Sequence, residues 1–342
     1  MSAIAGLNQD AAEMQHRIEH FQTVRDGILA QVRQVIVGQD DVLDQILIAL
    51  FVGGHCLITG MPGTAKTLMV RTIAQTLGLT FKRIQFTPDL MPSDITGTDI
   101  IEEDITTGHR KWTFVEGPIF GNVVLADEIN RTPPKTQAAM LEAMQERSCT
   151  VRGHVYNLPV PFFVLATQNP IELEGTYPLP EAQLDRFLFN AVLDYLSVGD
   201  ELKVVDLTTA TKDPQVAAVT NAAELLEFQQ LVRMVPIGES LAKYVVNLVR
   251  ATRHKSENAP DFVKKYVNYG GSIRAAQFIV LAAKARALSR KRYHVTYEDI
   301  TALAIPVLRH RILLNFHAES ERIDADEILT RLIAHMPPPK EG

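Results

Sequence analysis

The apolar run His55-Cys56-Leu57-Ile58-Thr59 leads straight into Gly60-Met61-Pro62-Gly63-Thr64-Ala65-Lys66-Thr67, and Leu68 to Leu77 follow with helical spacing. These types in this order suit phosphate binding. Small residues let the backbone turn its N–H groups toward an anion, a helix N-terminus stands behind them, and one ammonium, Lys66, can reach outer phosphates. Thr67 supplies a hydroxyl for Mg²⁺. The pattern is G-x-x-x-x-G-K-[ST] with Ala65 in the last glycine's place, so a methyl group must fit where backbone and phosphate run close. A small-residue turn can also merely join strand to helix, but the Lys-Thr pair in this context points to a nucleotide.

A second constellation points to hydrolysis. Val123-Val124-Leu125-Ala126-Asp127-Glu128 reads as a buried strand ending in two carboxylates, and side chains at the C-terminal edge of a parallel strand open onto a ligand crevice. Asp127 is expected to hold Mg²⁺ through water and Glu128 to polarise an attacking water, since phosphoryl transfer needs a metal and a positioned nucleophile. Alone, such an acidic pair can be a solvated helix start.

The elements that must position these groups alternate. Residues 11 to 35 carry an apolar stripe of Ile18, Phe21, Val24, Ile28, Leu29 and Val32, and a second helix is expected from about Asp40 to Val52. Strand-like runs follow at His55 to Thr59, Phe81 to Phe86, Asn122 to Ala126, Phe162 to Thr167 and Phe187 to Leu193, with helical stretches between them. Such alternation implies an α/β fold whose parallel sheet is covered on both faces. Beyond residue 195 no strand is expected, and helices are read at roughly 223–234, 239–253, 272–290 and 297–314. Thr296 with Asp299 forms a capping pattern, and His310-Arg311 at the end of the last helix reads as packing or capping.

Composition narrows the classes further. The 342 residues leave room for about two domains. Lys plus Arg number 34 against 40 Asp plus Glu, a net charge of −6, so no global positive field exists to hold a polyanion. The patch Lys284, Arg286, Arg290, Lys291 and Arg292 reads as cations at a helix C-terminus rather than a nucleic-acid site. Cys56 and Cys149 lack partners at metal-ligand spacing, consistent with a reducing compartment, and cytosol is expected. The N-terminus has no signal-peptide character, and the longest apolar run, Ile46 to Val52, is too short to span a bilayer.

With these features the chain resembles a AAA+ ATPase of the MoxR type, in the helix 2 insert clade. The resemblance rests on 60–67 and 127–128 as Walker A and Walker B, on Asp127-Glu128-Ile129-Asn130-Arg131-Thr132-Pro133-Pro134-Lys135-Thr136-Gln137, Ala166-Thr167-Gln168-Asn169-Pro170, Leu179-Pro180-Glu181-Ala182-Gln183-Leu184-Asp185-Arg186-Phe187, and Gly271-Ser272-Ile273-Arg274-Ala275. It covers roughly residues 36 to 312. It implies a P-loop NTPase three-layer αβα core at 36–197 with a hairpin insert near 88–120, an N-terminal helical segment at 1–35, an all-helical lid at 198–335 and a disordered tail at 336–342.

The resemblance also implies roles. Asn169 would be the sensor 1 residue beside Glu128, although an Asn before Pro170 can also simply start a turn. Arg186 would be the arginine finger, acting on a neighbour's ATP, and Arg274 the sensor 2 residue, in this chain or the next. Val37-Gly38-Gln39 would lie beside the adenine. Ser272 is expected to cap the helix that carries Arg274, where the family commonly has Pro in place of Ile273. The implied assembly is a homo-oligomeric, hexameric ring that uses ATP and Mg²⁺ to remodel or mature protein clients, with von Willebrand factor A domain proteins as partners. A nucleic-acid motor and a non-hydrolysing nucleotide switch are the alternatives.

Two hairpins are expected: Gly97 to Ile101 with Lys111 to Val115 around Thr107-Gly108-His109, and Cys149 to Val151 with Val155 to Leu158 around Arg152-Gly153-His154. Their tips either meet a substrate or partner or stand solvated. Trp112, the single tryptophan, is expected to be half-buried in a core.

Overall fold

The computed structural model describes residues 2–103, 110–169, 175–210 and 214–339, with side chains from residue 12. The expected hairpin tip at Thr107-Gly108-His109, Pro170, and the last three residues of the expected tail lie outside the described residues.

The first part of the chain runs α1 (Ser2–Val32), α2 (Asp40–Val52), β1 (His55–Gly60), α3 (Lys66–Thr76), β2 (Phe81–Gln85), α4 (Pro92–Thr96), β3 (Gly97–Glu103), β4 (Arg110–Glu116), β5 (Val123–Asp127), a 3₁₀ turn at Ile129–Arg131, α5 (Pro134–Glu146), β6 (Ser148–Val151), β7 (His154–Asn157), β8 (Phe163–Gln168), α6 (Glu181–Leu184) and β9 (Phe187–Leu193). Among the described residues, five strands form a parallel sheet in the order β2-β5-β8-β1-β9. Their near-continuous apolar runs suit a sheet buried on both faces. Val123 and Leu125 of β5 join the core beneath α1, α2 and α3, while Val124 and Ala126 join the core beneath α5. This is the period-two alternation of a strand splitting one segment between two layers.

The remainder is helical: α7 (Val198–Thr209), α8 (Ala222–Met234), α9 (Glu239–Ala251), α10 (Asp261–Tyr266), β10 (Val267–Tyr269), α11 (Ile273–Ser289), α12 (Tyr297–Leu308), β11 (Leu313–Leu314), α13 (Phe316–Ser320) and α14 (Ala325–His335). Its C-terminal part, α10 to α14, is the helical lid.

Three expectations need correction. The last long helix stops at Leu308, because the chain turns at 309–312 to bury the Arg311 side chain against the core, where it is 1% exposed. Strands do recur after residue 195, as a short antiparallel ladder of β10 with β11. The first helix begins earlier and ends earlier than read, at Ser2 and Val32. A further helix, α7, lies where none was expected, and it has no buried residue: its apolar positions Val198, Leu202 and Val205, at i, i+4 and i+7, all stand exposed.

The capping pattern is realised: Asp299 accepts from the Thr296 N–H at 2.9 Å. The basic patch beside it is largely occupied within the chain. Arg286 and Arg292 both pair with the buried Asp299 carboxylate, at 2.6 and 2.7 Å, and Lys284 donates to the Arg233 carbonyl.

Candidate functional site

β1 delivers the chain to Gly60, where a Cβ would come within 2.7 Å of Leu193 Cβ and 2.8 Å of its carbonyl on β9, so only glycine lets the loop leave the sheet here. The loop is preformed. Lys66 Nζ donates to the carbonyls of Gly60 at 2.5 Å and Met61 at 3.1 Å, and Thr64 Oγ1 donates to Met61 O at 2.8 Å. Pro62 and Gly63 are exposed and Thr67 is half-buried in the first turn of α3. Ala65 is exposed, so its methyl group meets no packed neighbour within the chain. Its departure from glycine shows in the backbone instead, which is left-handed at φ 58°, a region that favours glycine.

Beside the loop lies a cavity of 440 Å³ lined by Val37, Gln39, Gly63, Leu68, Tyr195 and Val205 among others. Gln39 Nε2 donates to the Asp194 carbonyl at 2.6 Å, tying the segment after α1 to the end of β9. Gly38 is at φ 68°, and a Cβ there would lie 2.9 Å from Leu196 Cδ2. The cavity is largely apolar on the α7 side and joins the phosphate loop, as a site for a base and its phosphates requires.

Asp127 and Glu128 end β5 at the same sheet edge. Glu128 is left-handed at φ 57°, which swings its carboxylate out of the strand's line. Thr167 on the adjacent β8 wires the pair together: its hydroxyl donates to Asp127 Oδ1 at 2.6 Å and accepts from the Glu128 N–H at 2.8 Å. From β2, on the other side, Arg83 Nη2 pairs with Asp127 Oδ2 at 2.6 Å and Gln85 Nε2 donates to Glu128 Oε2 at 2.8 Å. Arg131 Nη1 also reaches Glu128 Oε2, at 3.1 Å. Sequence reading gave no role to Arg83 or Gln85, and Thr167 and Arg131 entered it only as members of the matching motifs. The period-two spacing of Arg83 and Gln85 was the available signal, since two polar residues on one face of an inferred buried strand need partners. Asn169, 7% exposed, follows the end of β8, and the register Ala126 with Ala166 brings it to the edge that carries Glu128.

Arg186 and Arg274 occupy the opposite edge. β9 runs parallel to β1 with Phe187 beside His55, so Arg186 stands about 17 Å from Gly60 along the strands. Its Nη1 donates to the Leu141 carbonyl at the back of the sheet. Ser272 caps α11 by accepting from the Arg274 N–H at 3.1 Å, as expected, and Arg274 Nη1 pairs with Asp185 Oδ2 at 3.3 Å. The chain thus brings Lys66, Thr67, Asp127, Glu128 and Asn169 to one end of the sheet and both arginines to the other.

Both hairpins form, β3 with β4 and β6 with β7, and they pack on each other. Phe114 stacks on Tyr156 with centroids 3.9 Å apart, and the Arg152 guanidinium lies 4.5 Å over the Trp112 ring. Trp112 is 56% exposed, a surface residue rather than the core residue expected.

Comparison with known proteins agrees with this architecture. Residues 55–189 match the ATPase family associated with various cellular activities (AAA), and residues 261–332 match the AAA lid domain. The chain is 42% identical over 303 residues to the chaperone MoxR1 of Mycobacterium tuberculosis, covering 89% of this chain and 79% of that one. It is 44% identical over 304 residues to the uncharacterised YeaC of Bacillus subtilis, covering 89% and 91%. A solved structure of an ATPase candidate from Cytophaga hutchinsonii superposes with a TM-score of 0.89 at 41% identity, covering 98% of this chain and all of that one. The chain therefore belongs to the MoxR family of AAA+ ATPases.

Proposed function

We propose that the protein works as a cytoplasmic hexameric ring in which ATP bound at residues 60–67 of one chain is cleaved with the help of Arg186 and Arg274 of the next, and that turnover remodels or matures partner proteins. The supporting observation is the placement of both arginines one strand length from their own phosphate loop. An extended arginine side chain does not bridge that gap, so each chain presents a loop needing a cation at one edge and cations needing a phosphate at the other. This also favours Arg274 acting on the neighbour rather than on its own nucleotide.

Within one site Glu128 accepts the proton of the attacking water, and Asn169 orients that water from β8. The backbone N–H groups of 61–65 and Lys66 hold the phosphates, and Val37-Gly38-Gln39 border the base. Thr67 and Asp127 offer the hard oxygen donors that suit Mg²⁺, whose charge would draw electron density from the phosphate oxygens. The name of the mycobacterial relative supports protein clients, and von Willebrand factor A domain proteins are the proposed partners. Two free, buried cysteines support a reducing compartment. The internal pairing of the basic patch disfavours the nucleic-acid motor, and a carboxylate at Glu128 on the same end of the sheet as the loop disfavours a non-hydrolysing switch. We further propose that the core spans 36–197 and the lid 198–335.

The test is steady-state ATPase activity of the purified chain against its own concentration. Activity per chain should rise steeply as rings assemble, and Glu128→Gln should bind ATP without turnover and retain clients on co-purification. Full activity in a dilute monomer would refute the shared site.

A further inference from the structure

The peptide that carries Arg186 is gripped from the lid. Arg311 follows α12, and its side chain is 1% exposed. Its Nη2 donates to the carbonyls of Asp185 at 2.9 Å and Phe187 at 2.5 Å, the residues on either side of Arg186. Its Nε donates to Asp185 Oδ1 at 2.8 Å, and its Nη1 reaches the carbonyls of Leu188, at 3.3 Å, and Val307. The other oxygen of Asp185 accepts from Arg274 at 3.3 Å and from Ser272 Oγ at 3.0 Å. A buried guanidinium with a planar fork of donors fixes geometry in a way a single ammonium does not. One carboxylate therefore joins Arg186 by sequence, Arg274 by ion pair and the lid by Arg311.

We propose that Asp185 and Arg311 are positioning residues for hydrolysis in the neighbouring chain: they lock Arg186 and Arg274 into one unit, so that the lid's placement in one subunit sets how both arginines meet the next subunit's ATP. This rests on the assignment of Arg186 and Arg274 to a neighbour's phosphates. Neither Asp185 nor Arg311 touches nucleotide.

Asp185→Asn and Arg311→Lys separate this role from simple support of the fold. In full-length protein, each should leave the KM for ATP within about twofold of the parent and lower kcat about 10²-fold, the scale expected of a misplaced catalytic group. The deciding measurement mixes subunits. Asp185→Asn chains carry a sound loop and Glu128→Gln chains carry sound arginines, so an equimolar random ring with one-way contacts should regain about a quarter of wild-type activity. Arg186→Ala mixed with Glu128→Gln should do the same. If Arg186→Ala is rescued and Asp185→Asn is not, the positioning role is refuted while the shared site stands. If neither is rescued, both fall. Should Arg311→Lys not fold, Asp185→Asn carries the test, because its carboxylate lies only partly buried at 20% exposure.

Discussion

Arg83 donates twice to one oxygen of Asp127, at 2.6 Å through Nη2 and 3.1 Å through Nε. The carboxylate expected to serve a divalent cation thus already holds a monovalent one. Arg83 is about half exposed, with a side-chain exposure of 48%, and an ion pair so open to water is readily exchanged.

Arg83→Ala should therefore lower the Mg²⁺ concentration needed for half-maximal turnover, by about threefold to tenfold, the range of a surface pair worth about 1 kcal/mol. A Mg²⁺ titration of ATPase activity at fixed ATP checks this. An unchanged midpoint would mean that Arg83 does not compete for the site.

Arg186→Ala should reduce kcat by about 10³-fold or more while nucleotide affinity stays close to wild type. Titration with a fluorescent ATP analogue, run beside the kinetics, distinguishes the two effects. A loss of affinity matching the loss of rate would place Arg186 in ground-state binding.

Buried His55 makes stability depend on pH. Its Nδ1 accepts from the Val164 N–H at 3.0 Å and its Nε2 faces the Met144 carbonyl at 3.2 Å, a neutral tautomer satisfied at both ends. Burial, aided by the charge of Arg147, lowers its pKa to about 4 against an ordinary 6.5. Between those values the unfolded chain takes up a proton that the folded chain refuses, so stability falls as pH drops from 6.5 toward 4 and levels off below. The loss amounts to about 3 kcal/mol, and partly buried His310, whose pKa is lowered by desolvation and by the charge of Arg311, adds in the same direction. Urea unfolding at pH 7 and pH 4.5 should show it, and His55→Gln should be less stable at pH 7 with a flatter pH dependence.

Ala65→Gly should stabilise the chain by about 1 kcal/mol, because alanine at φ 58° holds a left-handed conformation that costs an L residue roughly that much. Denaturant midpoints compare the two directly. If the midpoint drops instead, the added freedom of the unfolded glycine outweighs the relief.

Much of this was legible in the residues. β9 and α2 fall where the apolar runs place them, because uninterrupted runs bounded by turn residues leave little choice of register. The loop at 60–67 and the acidic pair at 127–128 were readable because their chemistry is carried by contiguous residues. Thr167, Gln85 and Arg83 were not, since their roles arise only when β8 and β2 flank β5, a matter of strand order. Arg311 was hidden for a related reason: the apolar spacing of 297–308 continues into Ile312 and Leu313, so nothing local marks the turn that buries a guanidinium. Trp112 escaped because a ring covered by an arginine from another hairpin has no counterpart in its own segment.

The stacking of the two hairpins leaves the chain's single tryptophan beneath Arg152, at a seam between two projections of the same subunit. Indole emission responds to a nearby cation and to water, so the protein carries an intrinsic optical reporter at that seam. If nucleotide turnover separates or closes the hairpins, stopped-flow fluorescence would follow the motion in unlabelled wild-type protein, with all indole emission arising from one known position.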